Sequence, residues 1–255
     1  MLSPLGLGCW QFSNGQGMVG KFWPVIGPHD VLKIVQTSLR GGINWFDTAE
    51  VYGKGQSEQM LAKALNDAGP LADSAHIATK WWPVLRTAKS MREADRVLRE
   101  HGLRLISNQV KYSLLDRRIE QNEILDTAKE LGIAIIAYSP LEQGILSGKF
   151  HKNPALVQSI TGPRKWTSAF RSAGLKKSQP LITVLEELAH RYDASATQIA
   201  LNWLIHAHGE TVFAIPGASK VHHAEENVKA MRFSLTSSEL QEIDAASKQV
   251  LAINK

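Results

Sequence analysis

The chain of 255 residues lacks several things that would have decided its class at once. It has one cysteine, Cys9, which excludes an intramolecular disulfide framework and any structural zinc site built on two thiolates, and points to a reducing, cytoplasmic setting. Long hydrophobic runs are missing: the stretch 133–138 falls far short of the roughly 20 residues a membrane span needs, and no basic segment followed by an apolar one opens the chain. No membrane association is expected. Runs of Lys and Arg are missing too, although the net charge is +5, so an anionic small molecule is a better partner than nucleic acid. Low-complexity tracts and fixed-period repeats are absent, while 44% hydrophobic and 21% charged residues suffice for a sizeable core. One globular domain over 1–255 follows.

Short β-branched runs alternate with segments of helical periodicity. Strands are expected at 5–11, 43–48, 76–81, 105–110, 133–138 and 211–215, and helices at 29–40, 57–66, 90–100, 120–130, 180–192, 196–205, 223–231 and 237–247. Gly41-Gly42 and Gly132 stop helices just before strands. Repeated strand-helix alternation means parallel strands with right-handed crossovers, an α/β fold. The stretch 147–178, rich in Lys, Arg, Ser, Gly and Pro, reads as a long excursion after the fifth strand.

In parallel α/β folds chemistry gathers where strands end at their C-terminal edge. The second expected strand runs into Asp47-Thr48-Ala49-Glu50-Val51-Tyr52-Gly53, and the third into Thr79-Lys80-Trp81-Trp82. A carboxylate, a phenol and an ammonium thus meet at one edge. A lysine beside a tyrosine lowers the phenol's proton affinity, and an aspartate fixes the lysine, an arrangement suited to protonating a carbonyl oxygen. The same triple also reads as a structural Asp47–Lys80 ion pair beside a loop tyrosine. Trp45, Trp81 and Trp82 suit an apolar substrate wall, and Trp45 suits core packing equally well. His222-His223 does not form a metal site, because neighbours on a helix point apart, and Cys9 reads as a small buried hydrophobe.

Six segments together resemble the aldo-keto reductases: Leu5-Gly6-Leu7-Gly8-Cys9-Trp10, Asn44 to Gly53, Ala78-Thr79-Lys80, Ser107 to Leu114, Ala137-Tyr138-Ser139-Pro140-Leu141 and Ala214-Ile215-Pro216-Gly217-Ala218. They stand in that family's order across nearly the whole chain. The resemblance implies a TIM-barrel-like (β/α) fold and a nicotinamide cofactor, NADPH/NADP, bound without the glycine fingerprint Gly-x-Gly-x-x-Gly, which this sequence also lacks. It implies reduction of a small-molecule aldehyde or ketone, with Tyr52 as general acid tuned by Lys80 and Asp47. Gln109 matches the amide that holds the nicotinamide carboxamide, and Tyr138 the aromatic beneath the ring. Ser139, Leu141, Gln143 and Gly144 fall on the loop along the pyrophosphate. Ile215, Pro216, Gly217, Ala218, Ser219 and Lys220 would cradle the ribose and its 2′-phosphate, with His223 where many relatives have Arg, and Glu226 and Asn227 would contact adenine.

Against the family pattern, two strand-helix units are missing near 88–91, including the strand that ends in the active-site His. Six rather than eight parallel strands are expected, in a compressed or gapped barrel. None of the nine histidines follows a strand on the catalytic side. Reduced activity follows from the lost histidine, and the alternative is a non-catalytic cofactor-binding protein or an inactive truncated reductase. These motifs fix neither the substrate nor the oligomeric state.

Overall fold

Glycines set the ends of the first repeating units. The computed structural model describes residues 1–80, 87–102, 104–160 and 166–252. Helix α1 (Gly17–Gly20) is one turn, and α2 (Pro28–Arg40) starts on a proline whose missing N–H is one the first turn would leave unpaired anyway. Val31, Ile34, Val35 and Ser38 form its buried face. It stops at Gly41-Gly42, where Gly42 takes a positive φ of 92°. A Cβ on Gly41 would lie 2.1 Å from Val228 Cγ2, so that glycine lets a later helix pack directly on the turn.

Six parallel strands lie among the described residues: β1 (Leu7–Gly8), β2 (Trp45–Asp47), β3 (His76–Ala78), β4 (Ser107–Lys111), β5 (Ala134–Tyr138) and β6 (Val212–Ala214). They pair as two three-stranded sheets, β1-β2-β3 and β4-β5-β6. Parallel bridges Leu5↔Ala214 and Gly8↔Gly217, with Gly6 N–H donating to the Ala214 carbonyl at 2.9 Å, join β1 to β6. The strands therefore run in the order β3-β2-β1-β6-β5-β4. Among the described residues no bridge links β3 to β4 and no closed barrel forms, in keeping with the gapped form of the expected barrel. Each expected strand stretch contains a strand, though the first shrinks from 5–11 to Leu7–Gly8 because the chain turns into a 3-10 helix at Trp10–Ser13. The end of the third stretch, Trp81, lies outside the described residues.

The helices form the outer layer: α3 (Gln56–Ala68), α4 (Ala88–Glu100), α5 (Ile124–Leu131), the single turn α6 (Lys149–Lys152), α7 (Ser172–Arg191), α8 (Ala196–His206), α9 (Val221–Ala230) and α10 (Ser237–Ala252). Ser195 and Gln198 cap α8 reciprocally, and this helix is buried along its length, with Trp203 fully enclosed. Helix α7 begins eight residues before the expected start at Pro180, because burial of Leu175, Ser178 and Leu181 outweighs the hydrogen bond the proline cannot make. The excursion at 147–178 brings Phe150, Ile160, Phe170 and Leu175 into a second apolar cluster with Ile145 just before it.

Helix α4 makes the crossover from β3 to β4. The apolar residues Met91, Ala94, Val97 and Leu98, which helical spacing puts on one side, are only partly buried. Ala88, Met91 and Asp95 are buried, while Ala94 and Val97 face solvent. Asp95 is held inward by Arg99 at 2.6 Å and by the Leu105 N–H at 3.3 Å. Outward-facing Ile77 on β3 is 55% exposed and Ile106 before β4 is 78% exposed, so the two open edges carry uncovered apolar side chains.

Candidate active site

The C-terminal ends of the strands meet on one cleft of about 1220 Å³. Asp47, the last residue of β2, has a side chain 3% exposed. Its Oδ2 accepts from Lys80 Nζ at 2.6 Å and its Oδ1 from Gln109 Nε2 at 2.7 Å. Lys80 also donates to the Thr48 carbonyl at 3.2 Å, and its Nζ stands 5.0 Å from the centre of the Tyr52 ring. The structure brings Asp47, Lys80 and Tyr52 together at one edge, with Asp47 and Lys80 as an ion pair.

Their electrostatics differ from expectation in one respect. The phenol of Tyr52 is pushed up rather than down: burial comes first, then the negative charge of Asp47, with Cys9 and Tyr138 acting in the same direction. It stays protonated over the whole neutral range, which is the state a proton donor needs. Burial also raises the carboxyl of Asp47 above its ordinary value, with Lys80 and Gln109 opposing. Burial, and then Asp47, likewise keep the Cys9 thiol protonated, in line with a small buried hydrophobe.

Aromatic rings build one wall. Trp10 stacks on Tyr52 at 5.9 Å and 18°, Phe22 lies 5.3 Å from Trp10, and Trp23 meets it edge-on at 5.8 Å. Trp45 is not part of this wall: it is 2% exposed, donates Nε1 to the Ser3 carbonyl, and packs over Gly6 in the core. Trp81 and Trp82 lie outside the described residues.

The remaining expected residues follow the cleft in chain order. Tyr138 ends β5 with its ring 42% exposed into the cleft. After it, Ser139, Glu142, Gln143 and Gly144 all take positive φ, a run of costly backbone conformations of the kind that gathers at ligand sites. Lys111 at 3.0 Å and Ser113 at 3.0 Å grip the Glu142 carboxylate and hold this loop in place. Leu141, Gln143 and Gly144 line the cleft with Ser139. Across from them stand Ile215, Pro216, Gly217, Ser219 and Lys220, then His223, Glu226 and Asn227 on α9. Ala218 is the exception: fully buried in the core, it supports the wall from behind.

His223 Nδ1 lies 3.4 Å from the Ser219 N–H and 3.3 Å from its Oγ. Burial, followed by His222, Lys149 and Lys220, lowers its pKa to about 4, so the ring is neutral near pH 7 and accepts the Ser219 N–H. No histidine hydrogen bonds to Tyr52 among the described residues.

Among the described residues, three buried side-chain amide atoms on the cleft walls have no hydrogen-bond partner: Gln11 Oε1, Gln143 Oε1 and Asn227 Nδ2. Groups left in this way are rare and mark places where a ligand completes the bonding. Gln143 and Asn227 were expected from the sequence; Gln11 was not. Its only signal is its place directly after Trp10, and its 8% exposure against Gly217 is a fact of the fold.

The sequence pattern described as Aldo/keto reductase family matches this chain over residues 4–98 and 85–248. The chloroplastic pyridoxal reductase of Arabidopsis thaliana is 28% identical over 319 aligned residues, covering 97% of this chain and 84% of that protein. An uncharacterized oxidoreductase of Mycobacterium tuberculosis is 29% identical over 294, covering 92% and 86%. Among solved structures, the glycerol dehydrogenase of Gluconobacter oxydans superposes with a TM-score of 0.73 at 23% identity, covering 98% of this chain and 93% of that one. An aldo-keto reductase of Klebsiella pneumoniae in complex with NADPH gives 0.62 at 19% identity, covering 96% and 90%. At these identities the structural likeness carries the TIM-barrel-like (β/α) fold.

Proposed function

This chain belongs to the Aldo/keto reductase family of oxidoreductases, and on that premise we propose that it reduces an aldehyde or ketone to the alcohol at the expense of NADPH, with Tyr52 as general acid. The observation that carries the reading is the chain of contacts from Asp47 through Lys80, at 2.6 Å, to the Tyr52 ring at the mouth of the cleft. The residues present fit the cofactor. The partnerless Gln143 and Asn227 amides, the strained loop 139–144 and the uncovered Tyr138 ring each offer what an extended dinucleotide needs. When bound, NADPH supplies the hydride. Tyr138 would give the nicotinamide ring its platform, Gln109 would orient its carboxamide, Gln143 and the 139–144 backbone would hold the pyrophosphate, and Glu226 and Asn227 the adenine. With His223 neutral, Lys220 and Lys149 are the cations for a 2′-phosphate on that wall.

Tyr52 Oη gives its proton to the carbonyl oxygen as charge develops there. Lys80, held by Asp47 and the Thr48 carbonyl, stabilises the phenolate left behind, and Trp10 fixes the ring plane. The aromatic wall of Trp10, Phe22 and Trp23 suits a flat or apolar carbonyl compound.

The activity is reduced because this chain lacks the family's histidine. Two findings support the shortening: the family pattern matches in two stretches that overlap at 85–98, and the pyridoxal reductase alignment of 319 residues exceeds the 255 of this chain. Loss of one such donor lowers a rate by roughly 10² to 10³. Among the described residues no helix is long and apolar enough to cross a membrane, and the cytoplasm is the proposed location.

The test is a titration of tryptophan fluorescence with NADPH and NADH, followed by a carbonyl-reduction assay on wild type and Tyr52→Phe. Saturable NADPH binding with turnover that falls sharply in the variant supports the reading. Turnover unchanged in the variant removes Tyr52 from the mechanism.

A further inference from the structure

Asp47 and Gln109 sit on strands that are far apart in the sheet order, one on each side of the open seam. β2 belongs to the sheet that ends at the β3 edge, and β4 is itself the other edge. Their side chains nevertheless meet at 2.7 Å. A carboxylate is acceptor-only, so the atom of Gln109 facing it is the amide nitrogen. The two oxygens of Asp47 are thus held from opposite sides, Oδ2 by Lys80 and Oδ1 by Gln109.

This second anchor matters because of where Asp47 lies. With a side chain 3% exposed, it has no water to replace a lost donor. A buried carboxylate oxygen without a donor takes up a proton or swings toward the donor it still has. Either response moves Lys80, whose Nζ is placed, among the described residues, by two acceptors, Asp47 Oδ2 and the Thr48 carbonyl. The Lys80 Nζ position relative to the Tyr52 ring depends on both.

We propose that Gln109 is a positioning residue for proton donation: from across the seam it fixes the Asp47 carboxylate, and through Asp47 it fixes where the Lys80 ammonium stands relative to Tyr52. This rests on the reductase reading, in which Tyr52 gives the proton, and adds to it. The role the family resemblance assigns to Gln109 is a contact with the cofactor carboxamide. The two are compatible, since Gln109 lines the cleft and its amide has a second N–H and an oxygen beyond the hydrogen given to Asp47. In a chain without the strands that would close the barrel, this amide is a side-chain tie between its two halves.

The groups facing Asp47 are Cys9 after β1, Tyr52 after β2, Lys80 after β3 and the neutral Gln109 on β4. The test begins with the cofactor-free protein carrying carbon-labelled aspartate. NMR titration of the Asp47 carboxyl, assigned with Asp47→Asn, is compared in wild type, Gln109→Met and Gln109→Glu. Met keeps the length of Gln without its donor, and Glu sets a second carboxyl against the first. A hydrogen bond to a charged group contributes enough that its loss raises the Asp47 midpoint by about one to two pH units in Gln109→Met. In Gln109→Glu the two carboxyls share a proton and titrate as a pair, with a raised upper step. If Gln109→Met fails to melt cooperatively, the Glu variant carries the test.

The second readout is the pH profile of kcat for carbonyl reduction, which moves with the Asp47 titration. An Asp47 titration that overlays wild type in the variant overturns the proposal, as does a variant that raises the KM for NADPH while leaving the pH profile in place. A shifted Asp47 titration in a wild type that reduces no carbonyl supports the anchoring and counts against the reductase reading alone.

Discussion

Lys80→Met isolates the electrostatics of the site. The substitution leaves Asp47, 3% exposed at its side chain, with Gln109 as its remaining donor. Removing one member of a buried ion pair costs about 3–5 kcal/mol; because Lys80 is itself 26% exposed, water screens part of the pair and about 2–3 kcal/mol is the better figure. For a chain of this size that lowers Tm by about 5–10 °C near neutral pH. The sign of the pH dependence follows from Asp47. Its carboxyl titrates above its unfolded value in the folded protein, so its contribution to stability is fully present below the unfolded pKa and is lost as pH rises through the folded one. Losing Lys80 raises the folded pKa further and extends that loss to higher pH. The deficit of Lys80→Met relative to wild type is therefore largest near pH 7 and shrinks toward about pH 4. Differential scanning calorimetry at several pH values measures it, and Lys80→Met combined with Asp47→Asn recovers most of the loss because no charge is left buried. A deficit of equal size at both pH values, or a double variant no better than the single one, refutes the reasoning.

Three further outcomes follow from the structure. Tyr52→Phe lowers kcat by roughly 10² to 10⁴ while NADPH still quenches tryptophan fluorescence with unchanged affinity, measured by parallel kinetics and titration. His223, neutral and held below its unfolded value, gives stability that is present above that value and lost as pH falls from about 6.5 toward about 4; His223→Gln flattens this acid limb in calorimetry, whereas an unchanged limb assigns it to other groups. The uncovered Ile77 and Ile106 at the sheet edges drive concentration-dependent association, which light scattering follows and which Ile77→Lys with Ile106→Lys suppresses; a monodisperse wild type would remove the edges from consideration.

Much of this was legible in the sequence where local chemistry dictates structure. Gly41-Gly42 and Gly132 mark real helix ends, since positive φ at Gly42 and Gly132 is a requirement of the turn. The Asp47 to Gly53 segment and Lys80 meet at one edge because parallel strands bring their C-terminal ends together. What was illegible depended on packing between distant segments. Pro180 looks like a helix start, and burial of the preceding turn carries the helix through it. Trp45 and Ala218 carry the right residue types near the site and are turned into the core. Gln11 becomes notable only once Gly217 packs on it and leaves Oε1 without a partner. The direction of the Tyr52 shift is set by how deeply the phenol is buried and how close the Asp47 carboxylate lies, neither of which residue spacing contains.

The most direct measurement is isotopic. The purified protein is incubated with NADPH deuterated at the transferable position and a panel of aromatic and aliphatic aldehydes, and the alcohols are examined by mass spectrometry. Alcohol carrying one deuterium is expected, formed slowly by wild type and far more slowly by Tyr52→Phe. A folded protein that binds NADPH and yields no deuterated alcohol from any carbonyl would contradict the reductase reading.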